Sequence, residues 1–295
     1  MKMTKSDLEN YKPSLRKITM VTSYDSPCAK IADECGIDVV LVGDSVGTNV
    51  LGYAEISQVT MEDMLHHVRA VASGVGRAFI LADLPAEAIA SPDEALNNAK
   101  RLLENGADGV KIEGGAEVAD RIGRMAQQGI AVCAHIGYTP QKMGAKAVVQ
   151  GKDLKQAQEL INSACALEKA GAFMIVLELI TKELSGEISR LLKIPTIGIG
   201  AGPLCDGQVQ VIHDISGLSP RVFKHAKAYG NVKQEFAKAI SHYAQEVREG
   251  VFPTEKNAFS LGPEVLKEIK EWIGNISEAA PGQAADTQDT CQAGF

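Results

Sequence analysis

Short apolar runs recur between residue 18 and residue 212, and a polar or amphipathic stretch follows each of them. The run VVLV at 39–42 shows no alternation of apolar and polar residues, which is typical of a strand buried on both faces of a parallel sheet. Each short apolar run of this kind is predicted to be a strand. The eight predicted strands are at residues 18–23, 39–42, 79–83, 109–113, 131–135, 173–178, 196–199 and 208–212.

The stretches between these runs carry the signals of helix ends. Thr60 is a good N-cap, Pro92 suits the first position of a helix, and Gly171 suits a helix end. Helices are predicted at residues 27–35, 61–72, 117–127, 154–169, 182–192 and 232–249, and another begins at Ser91. Strands alternating with helices predict an α/β fold, a single (β/α)8 TIM barrel at 18–259. A doubly wound open sheet is the alternative, because periodicity does not separate the two.

The residues on either side of the predicted barrel differ in character. Residues 1–17 form a polar N-terminal segment, and residues 260–295 combine an amphipathic helix with a tail. In the helix, the apolar residues share one face, which we expect to dock on the body or on a neighbouring subunit; they are Val265, Leu266, Ile269, Trp272 and Ile273. The tail from residue 277 is rich in Ala, Gln, Gly and Thr and is predicted to be disordered.

Composition narrows the class of protein. A net charge of -7 and a pI near 5.5 argue against a nucleic-acid partner, which would require a basic surface. The six cysteines are scattered without a CxxC pair, as expected for reduced thiols in a cytoplasmic protein. No apolar run approaches the roughly 20 residues of a membrane span.

Three predicted strands in succession end in an acid: Asp44, Asp83 and Glu113. Ligands bind at the carboxyl ends of the strands in α/β folds, and neighbouring strands lie about 4.8 Å apart. Together the three acids predict an all-oxygen site that favours Mg²⁺ over zinc. The alternative is that each acid caps the helix that follows it.

Three further residues are candidates for contact with a substrate. Lys111 shares a strand face with Glu113, so it either contacts a substrate carboxylate or forms a simple ion pair. Glu178 ends the sixth strand, which lies opposite the second in an eight-stranded ring, and its apolar approach favours a general base with a raised pKa. A helix cap or a salt bridge is the alternative for Glu178. His135 ends strand five and either hydrogen-bonds to substrate or is structural.

Two other patterns predict no chemistry. His66 and His67 lie on a predicted surface helix and are expected to face solvent. The glycines of GIGAG at 198–202 resemble a nucleotide-binding loop, but Pro203 stands where the third glycine of the Rossmann fingerprint would fall.

Six ordered motifs resemble the ketopantoate hydroxymethyltransferase family. They are VGDS at 42–45, LADLP at 81–85, VKIEGG at 110–115, AHIGYTPQ at 134–141, LE at 177–178, and IPTIGIGAG at 194–202 with DGQ at 206–208. The resemblance implies a barrel of the phosphoenolpyruvate/pyruvate superfamily and a magnesium-dependent homo-oligomer, typically a decamer. It implies a reaction that converts 3-methyl-2-oxobutanoate and 5,10-methylenetetrahydrofolate to 2-dehydropantoate, in pantothenate synthesis.

The resemblance also implies roles for individual residues. The metal ligands of the family fall on Asp44, Asp83 and Glu113, and its general base falls on Glu178. Its contacts with the keto acid fall on four residues, Asp44, Ser45, Asp83 and Lys111. The chain departs from the family at Ala86, at Ala134 and in a shortened stretch at 142–149, all of which concern folate binding and lid closure.

Two other functions fit the same pattern. A lyase or mutase of the same superfamily would use similar acids, although such lyases usually carry a catalytic cysteine in a KKCGH-like motif that is absent here. A keto-acid-binding barrel without catalytic activity is the second alternative.

Overall fold

Eight parallel strands close into a barrel in the computed structural model, which describes residues 1–144, 147–220 and 223–278. The strands are β1 (Ile18–Thr22), β2 (Val39–Val42), β3 (Phe79–Asp83), β4 (Gly109–Glu113), β5 (Val132–Gly137), β6 (Met174–Glu178), β7 (Thr196–Ile199) and β8 (Gly207–Gln210). Each strand pairs with the next, and β8 pairs with β1. The predicted barrel is confirmed, and the open-sheet alternative is wrong.

Helices follow the strands in the order that the sequence predicts. The α-helices are α1 (Lys5–Glu9), α2 (Ser26–Glu34), α3 (Met61–Ala72), α4 (Pro92–Glu104), α5 (Ala119–Ala126), α6 (Pro140–Met143), α7 (Leu154–Ala170), α8 (Lys182–Leu191), α9 (Ile212–Ser216), α10 (Val232–Arg248) and α11 (Pro263–Glu278). Short helical turns occur at Gly47–Leu51, Ile56–Gln58, Ala86–Ile89, Ala116–Val118 and Glu255–Asn257. The predicted caps are present, because Thr60 Oγ1 accepts from the Asp63 N–H and Gly171 ends α7 with a left-handed backbone.

The eighth strand ends earlier than its apolar run predicts. The run continues to Ile212, but β8 stops at Gln210 and Ile212 begins α9. The Ile212 N–H donates to Thr22 Oγ1 at 3.0 Å, so a side chain of β1 takes the place of a ladder partner. The pattern of apolar residues cannot predict a hydrogen bond of this kind, between a backbone N–H and a distant side chain.

Alternate residues of each strand belong to two separate hydrophobic clusters. Val39 and Leu41 point into the barrel, whereas Val40 and Val42 pack beneath the helices. The apolar interior is closed near the amino ends of the strands by the N-terminal segment. Leu8 and Tyr11 are buried there, and the Tyr11 hydroxyl donates to Asp38 Oδ1 at 2.9 Å. The buried acids that end β3 and β4, Asp83 and Glu113, lie at the opposite, carboxyl end.

The chain divides into two units, Met1–Gln234 and Glu235–Phe295. In the second, α11 carries the predicted apolar stripe, in which Trp272 is 64% exposed. The docking of this face stays a prediction. The tail predicted to be disordered begins at residue 277, but residues 277 and 278 belong to α11, because the helix continues to Glu278; the rest of the tail lies outside the described residues. Within the ranges described, no helix has both the length and the apolar character needed to cross a membrane.

We expect Gly207→Ala to destabilise the barrel. An added Cβ would lie 2.5 Å from the Ile18 carbonyl oxygen and 2.6 Å from Ile197 Cδ1, and the first of these contacts is with the backbone of the paired strand β1. The free energy of unfolding, measured by urea denaturation, should fall by about 1–3 kcal/mol.

Gly123→Ala is the matched control. Its Cβ would meet only the Ala170 carbonyl oxygen at 3.7 Å, and alanine in helix α5 should raise the free energy of unfolding by about 0.4–1 kcal/mol. Equal effects of the two substitutions would contradict the packing described here.

Candidate active site

Three acids meet where β2, β3 and β4 end, as predicted. The Asp44 N–H donates to Asp83 Oδ2 at 3.0 Å, and all three carboxylates are buried, with Asp44, Asp83 and Glu113 at 4%, 2% and 2% exposure. The helical turns that follow these strands begin at other N-cap residues, namely Val46, Pro85 and Gly115. The helix-capping alternative is therefore wrong for these acids.

Lys111 lies among the acids with its ammonium buried. Its Nζ is 2.8 Å from Asp83 Oδ1 and 3.9 Å from Glu113 Oε1. Burial alone would lower the pKa of Lys111, but the charges of Asp83, Glu113 and Asp44 raise it above its usual value. Lys111 is therefore a permanent cation, and its main partner is Asp83 rather than the Glu113 expected from strand alternation.

His135 joins the acids to the predicted base. Its Nδ1 lies 3.2 Å from Glu113 Oε1, and its Nε2 lies 3.2 Å from Glu178 Oε2, although neither contact is aligned as a hydrogen bond. Burial alone would lower the pKa of His135, but the charge of Glu113 raises it to about 9. For Glu113, burial alone would raise the pKa, but the positive charges of His135 and Lys111 bring it below its usual value. The imidazolium thus holds two carboxylates at once.

Asp44 is the acid whose charge is least compensated. Burial and the neighbouring charges of Asp83 and Glu113 raise the pKa of Asp44 well above its usual value, and Lys111 offsets only part of this. The Gln141 side chain donates to Asp44 Oδ2 at 2.7 Å, and its backbone N–H donates to Glu113 Oε2 at 3.2 Å. Two acids on different strands are thereby held by one residue of α6.

The backbone next to Glu178 is strained. Leu179 has a φ of +48°, in the left-handed region that residues other than glycine rarely adopt. Its N–H donates to the Ile199 carbonyl at 2.9 Å, and its own carbonyl accepts from the Gln150 N–H at 2.7 Å. Helix α8 begins after Thr181, so Glu178 is not its cap. Strain of this kind persists where surrounding contacts fix the backbone, and it is common at active sites.

A cavity of about 310 Å³ opens at this end of the barrel. Its lining includes every site residue that the sequence predicts, which are Asp44, Ser45, Asp83, Lys111, Glu113, His135 and Glu178. Ser45 Oγ lies 2.9 Å from the hydroxyl of Tyr24, whose pKa is raised to about 12 by burial. Tyr24 therefore keeps its proton and can hold the serine hydroxyl in place.

The donor chemistry of the site fits a hard divalent cation with few protein ligands. Among the described residues, no three His, Cys, Asp or Glu side chains are arranged to hold a metal ion by themselves. Asp44 and Asp83 nevertheless form a buried carboxylate pair whose two negative charges share one ammonium, that of Lys111. Mg²⁺ commonly binds one or two carboxylates and completes its octahedron with water and substrate oxygens. Glu113, already contacted by His135 and Lys111, is less available, and its role as a ligand stays a prediction.

Three residues of this region were missed or misjudged from the sequence. Gln141 and Tyr24 were not singled out, although Tyr24 follows a strand end just as the acids do. The prediction that His67 faces solvent is wrong: it is 8% exposed, and its Nδ1 lies 2.6 Å from the Tyr24 carbonyl oxygen. It shares the inner face of α3 with Met64 and Val68, whereas His66 is exposed.

Solved structures with the same fold share little sequence with this chain. A phosphonopyruvate hydrolase in complex with oxalate and Mg²⁺ is 17% identical with a TM-score of 0.58, and the match covers 94% of this chain and 97% of the other. A 2,3-dimethylmalate lyase of the PEP mutase/isocitrate lyase superfamily is 16% identical with a TM-score of 0.57, over 95% and 100%. At these identities the likeness concerns the fold alone, and it confirms the predicted type of barrel.

Comparisons of sequence are more specific. A protein named 3-methyl-2-oxobutanoate hydroxymethyltransferase from Dehalococcoides mccartyi (strain CBDB1) is 49% identical over 278 residues, which cover 92% of this chain and 100% of the relative. A protein of the same name from Carboxydothermus hydrogenoformans is 48% identical over 273 residues, covering 91% and 99%. The family model described as ketopantoate hydroxymethyltransferase matches residues 2–255. The chain is thus a transferase that belongs to the ketopantoate hydroxymethyltransferase family.

Proposed function

We propose that this protein transfers a hydroxymethyl group from 5,10-methylenetetrahydrofolate to 3-methyl-2-oxobutanoate and so forms 2-dehydropantoate. The observation that carries the proposal is the placement of Glu178 on β6, across the barrel mouth from Asp44 and Asp83, in one shared cavity. The names of the relatives supply the keto acid and the hydroxymethyl group.

The keto acid binds with its carboxylate toward Lys111 and Ser45. Lys111 supplies a fixed positive charge within the cavity, and the Ser45 hydroxyl can donate to a substrate oxygen while it accepts from Tyr24. An anionic substrate adds negative charge to a site that already holds several acids around Lys111. A further cation must therefore enter with the substrate to offset this charge. Binding of the substrate and of a divalent cation is therefore coupled through charge.

Asp44 and Asp83 are the residues that would hold Mg²⁺, together with oxygens of the substrate and water. When bound, the ion acts as a Lewis acid toward the 2-oxo group of the keto acid and lowers the cost of charge on that oxygen. Gln141 keeps the Asp44 carboxylate in position through its 2.7 Å hydrogen bond.

Glu178 removes the proton from C3 of the keto acid. Its side chain is 18% exposed, and His135 contacts Oε2, which leaves Oε1 to face the substrate. The electron pair of the broken C–H bond moves toward the 2-oxo group, and C3 becomes the nucleophile that bonds to the one-carbon unit of the folate. Water supplies the hydroxyl oxygen of the product, and tetrahydrofolate leaves.

The rival lyase or mutase chemistry has less support. A catalytic cysteine of the kind that such lyases carry would need to face the cavity, and the described residues that line it include no cysteine. The homo-oligomer implied by the family stays a prediction, as does the cytoplasmic location.

Glu178→Gln should reduce exchange of the C3 proton of the keto acid into deuterated water by roughly 10²- to 10⁴-fold, because an amide cannot accept the proton. Exchange is followed by proton NMR with Mg²⁺ and without folate. Glu183→Gln, on the exposed start of α8 with its side chain 73% accessible, is the control and should exchange like the wild type. Unchanged exchange in Glu178→Gln would exclude this glutamate as the base.

Asp44→Asn should weaken Mg²⁺ binding by about tenfold or more, because one negative ligand charge is lost. The binding is measured by titration calorimetry on protein dialysed against EDTA, with the keto acid present. Asp120→Asn removes an exposed acid that pairs with Arg121 and serves as the control. Wild-type affinity in Asp44→Asn, or full activity of the dialysed wild-type protein without Mg²⁺, would contradict the assignment of the metal site.

A further inference from the structure

The cavity has a second wall that the keto acid and its acids do not use. This wall comes from the end of β8 and the segment after it, and it includes Gln210, Asp214, Phe223 and His225. We propose that this wall is the subsite for the reduced pterin ring of the folate co-substrate. The inference rests on the proposed function, since it locates the one-carbon donor of that reaction.

The aromatic part of the wall is suited to a flat ring. Phe223 and His225 stack on one another with centroids 5.5 Å apart and planes 16° apart, and Phe223 is 48% exposed. The backbone of His225 is held by Gln210 Nε2, which donates to its carbonyl at 3.2 Å. A partly exposed aromatic ring that is stacked on a second ring and lines a cavity favours stacking of a heterocycle.

The polar part of the wall offers acceptors. Gln210 Oε1 is buried and has no hydrogen-bond donor among the described residues. Asp214 lines the same cavity, and its Oδ1 accepts from the Ser219 hydroxyl at 2.6 Å, which fixes the carboxylate. The 2-amino group and ring N–H groups of a reduced pterin form an edge of donors that matches these acceptors. An unsatisfied buried acceptor costs about 1–3 kcal/mol, which such a ligand would recover.

Charge determines which end of the folate enters. Six acids line the cavity, Asp44, Glu55, Asp83, Glu113, Glu178 and Asp214, and the one lysine among the described lining residues already contacts Asp83 and Glu113. An anionic glutamate tail would be repelled there, whereas the neutral pterin with its donor edge is not. The volume, at the low end for ligand pockets, also fits one ring beside the keto acid rather than a whole folate.

The test uses 6-methyltetrahydropterin, which has the reduced ring but lacks the aminobenzoyl-glutamate tail. Its affinity for the full-length protein is measured by calorimetry with saturating keto acid and Mg²⁺. Phe223→Leu should weaken the binding of the pterin by about tenfold or more, because stacking is lost. Asp214→Asn should weaken it by a similar factor, because charge-assisted hydrogen bonds are lost. The dissociation constant of the keto acid, measured on the same preparations, shows whether the part of the cavity formed by Asp44, Asp83 and Glu113 is intact.

Tyr229→Leu is the matched control, because this aromatic residue belongs to the same segment but is 76% exposed and lies outside the cavity lining. It should bind the pterin like the wild type. Wild-type pterin affinity in both Phe223→Leu and Asp214→Asn, in a protein that forms product, would overturn the subsite and leave the proposed function standing. A wild-type protein that binds neither pterin nor keto acid and forms no product would overturn both.

Discussion

The ion pair between Lys111 and Asp83 is the constraint on which the site depends. A lysine that points into a barrel of Val, Leu and Phe side chains is stable only if its charge is matched at short range, and the 2.8 Å contact with Asp83 provides this. Breaking a buried pair of this kind by removing one partner typically costs about 3–5 kcal/mol. The site is therefore part of what keeps the barrel folded.

That ion pair extends into a longer series of opposite charges. Lys111 also approaches Glu113, Glu113 contacts His135, and His135 contacts Glu178. Contacts with alternating charge fix the orientation of each side chain, including the proposed base. Asp44 is not part of this series: Lys111 offsets only part of its charge, and the Gln141 side chain donates to its carboxylate, which supports our proposal of Asp44 as a metal ligand.

Much of this arrangement could be predicted from the sequence, because parallel strands give strong local signals. Strand positions, the convergence of Asp44, Asp83 and Glu113, and the inward direction of Lys111 all follow from periodicity and from the rule that carboxyl ends face ligands. The choice of partners does not follow. Lys111 pairs mainly with Asp83 on the neighbouring strand β3, and His135 contacts both Glu113 and Glu178. Both choices depend on the register between neighbouring strands of the closed barrel.

The features missed from the sequence depend on contacts between distant segments. Gln141 reaches Asp44 from the short helix α6 after β5, and His67 is buried because its helix face packs toward Tyr24. Polar residues such as Gln141 and His67 are usually predicted to be exposed, but here contacts with distant segments place both at or near the site.

In the proposed reaction, a buried acid cluster and an opposed glutamate activate a keto acid for attack on a folate one-carbon unit. The most direct measurement is product detection with 3-methyl-2-oxobutanoate, 5,10-methylenetetrahydrofolate and Mg²⁺, with each omitted in turn. 2-Dehydropantoate should form only when all three are present. Equal product formation without Mg²⁺, or none in the complete mixture, would contradict it.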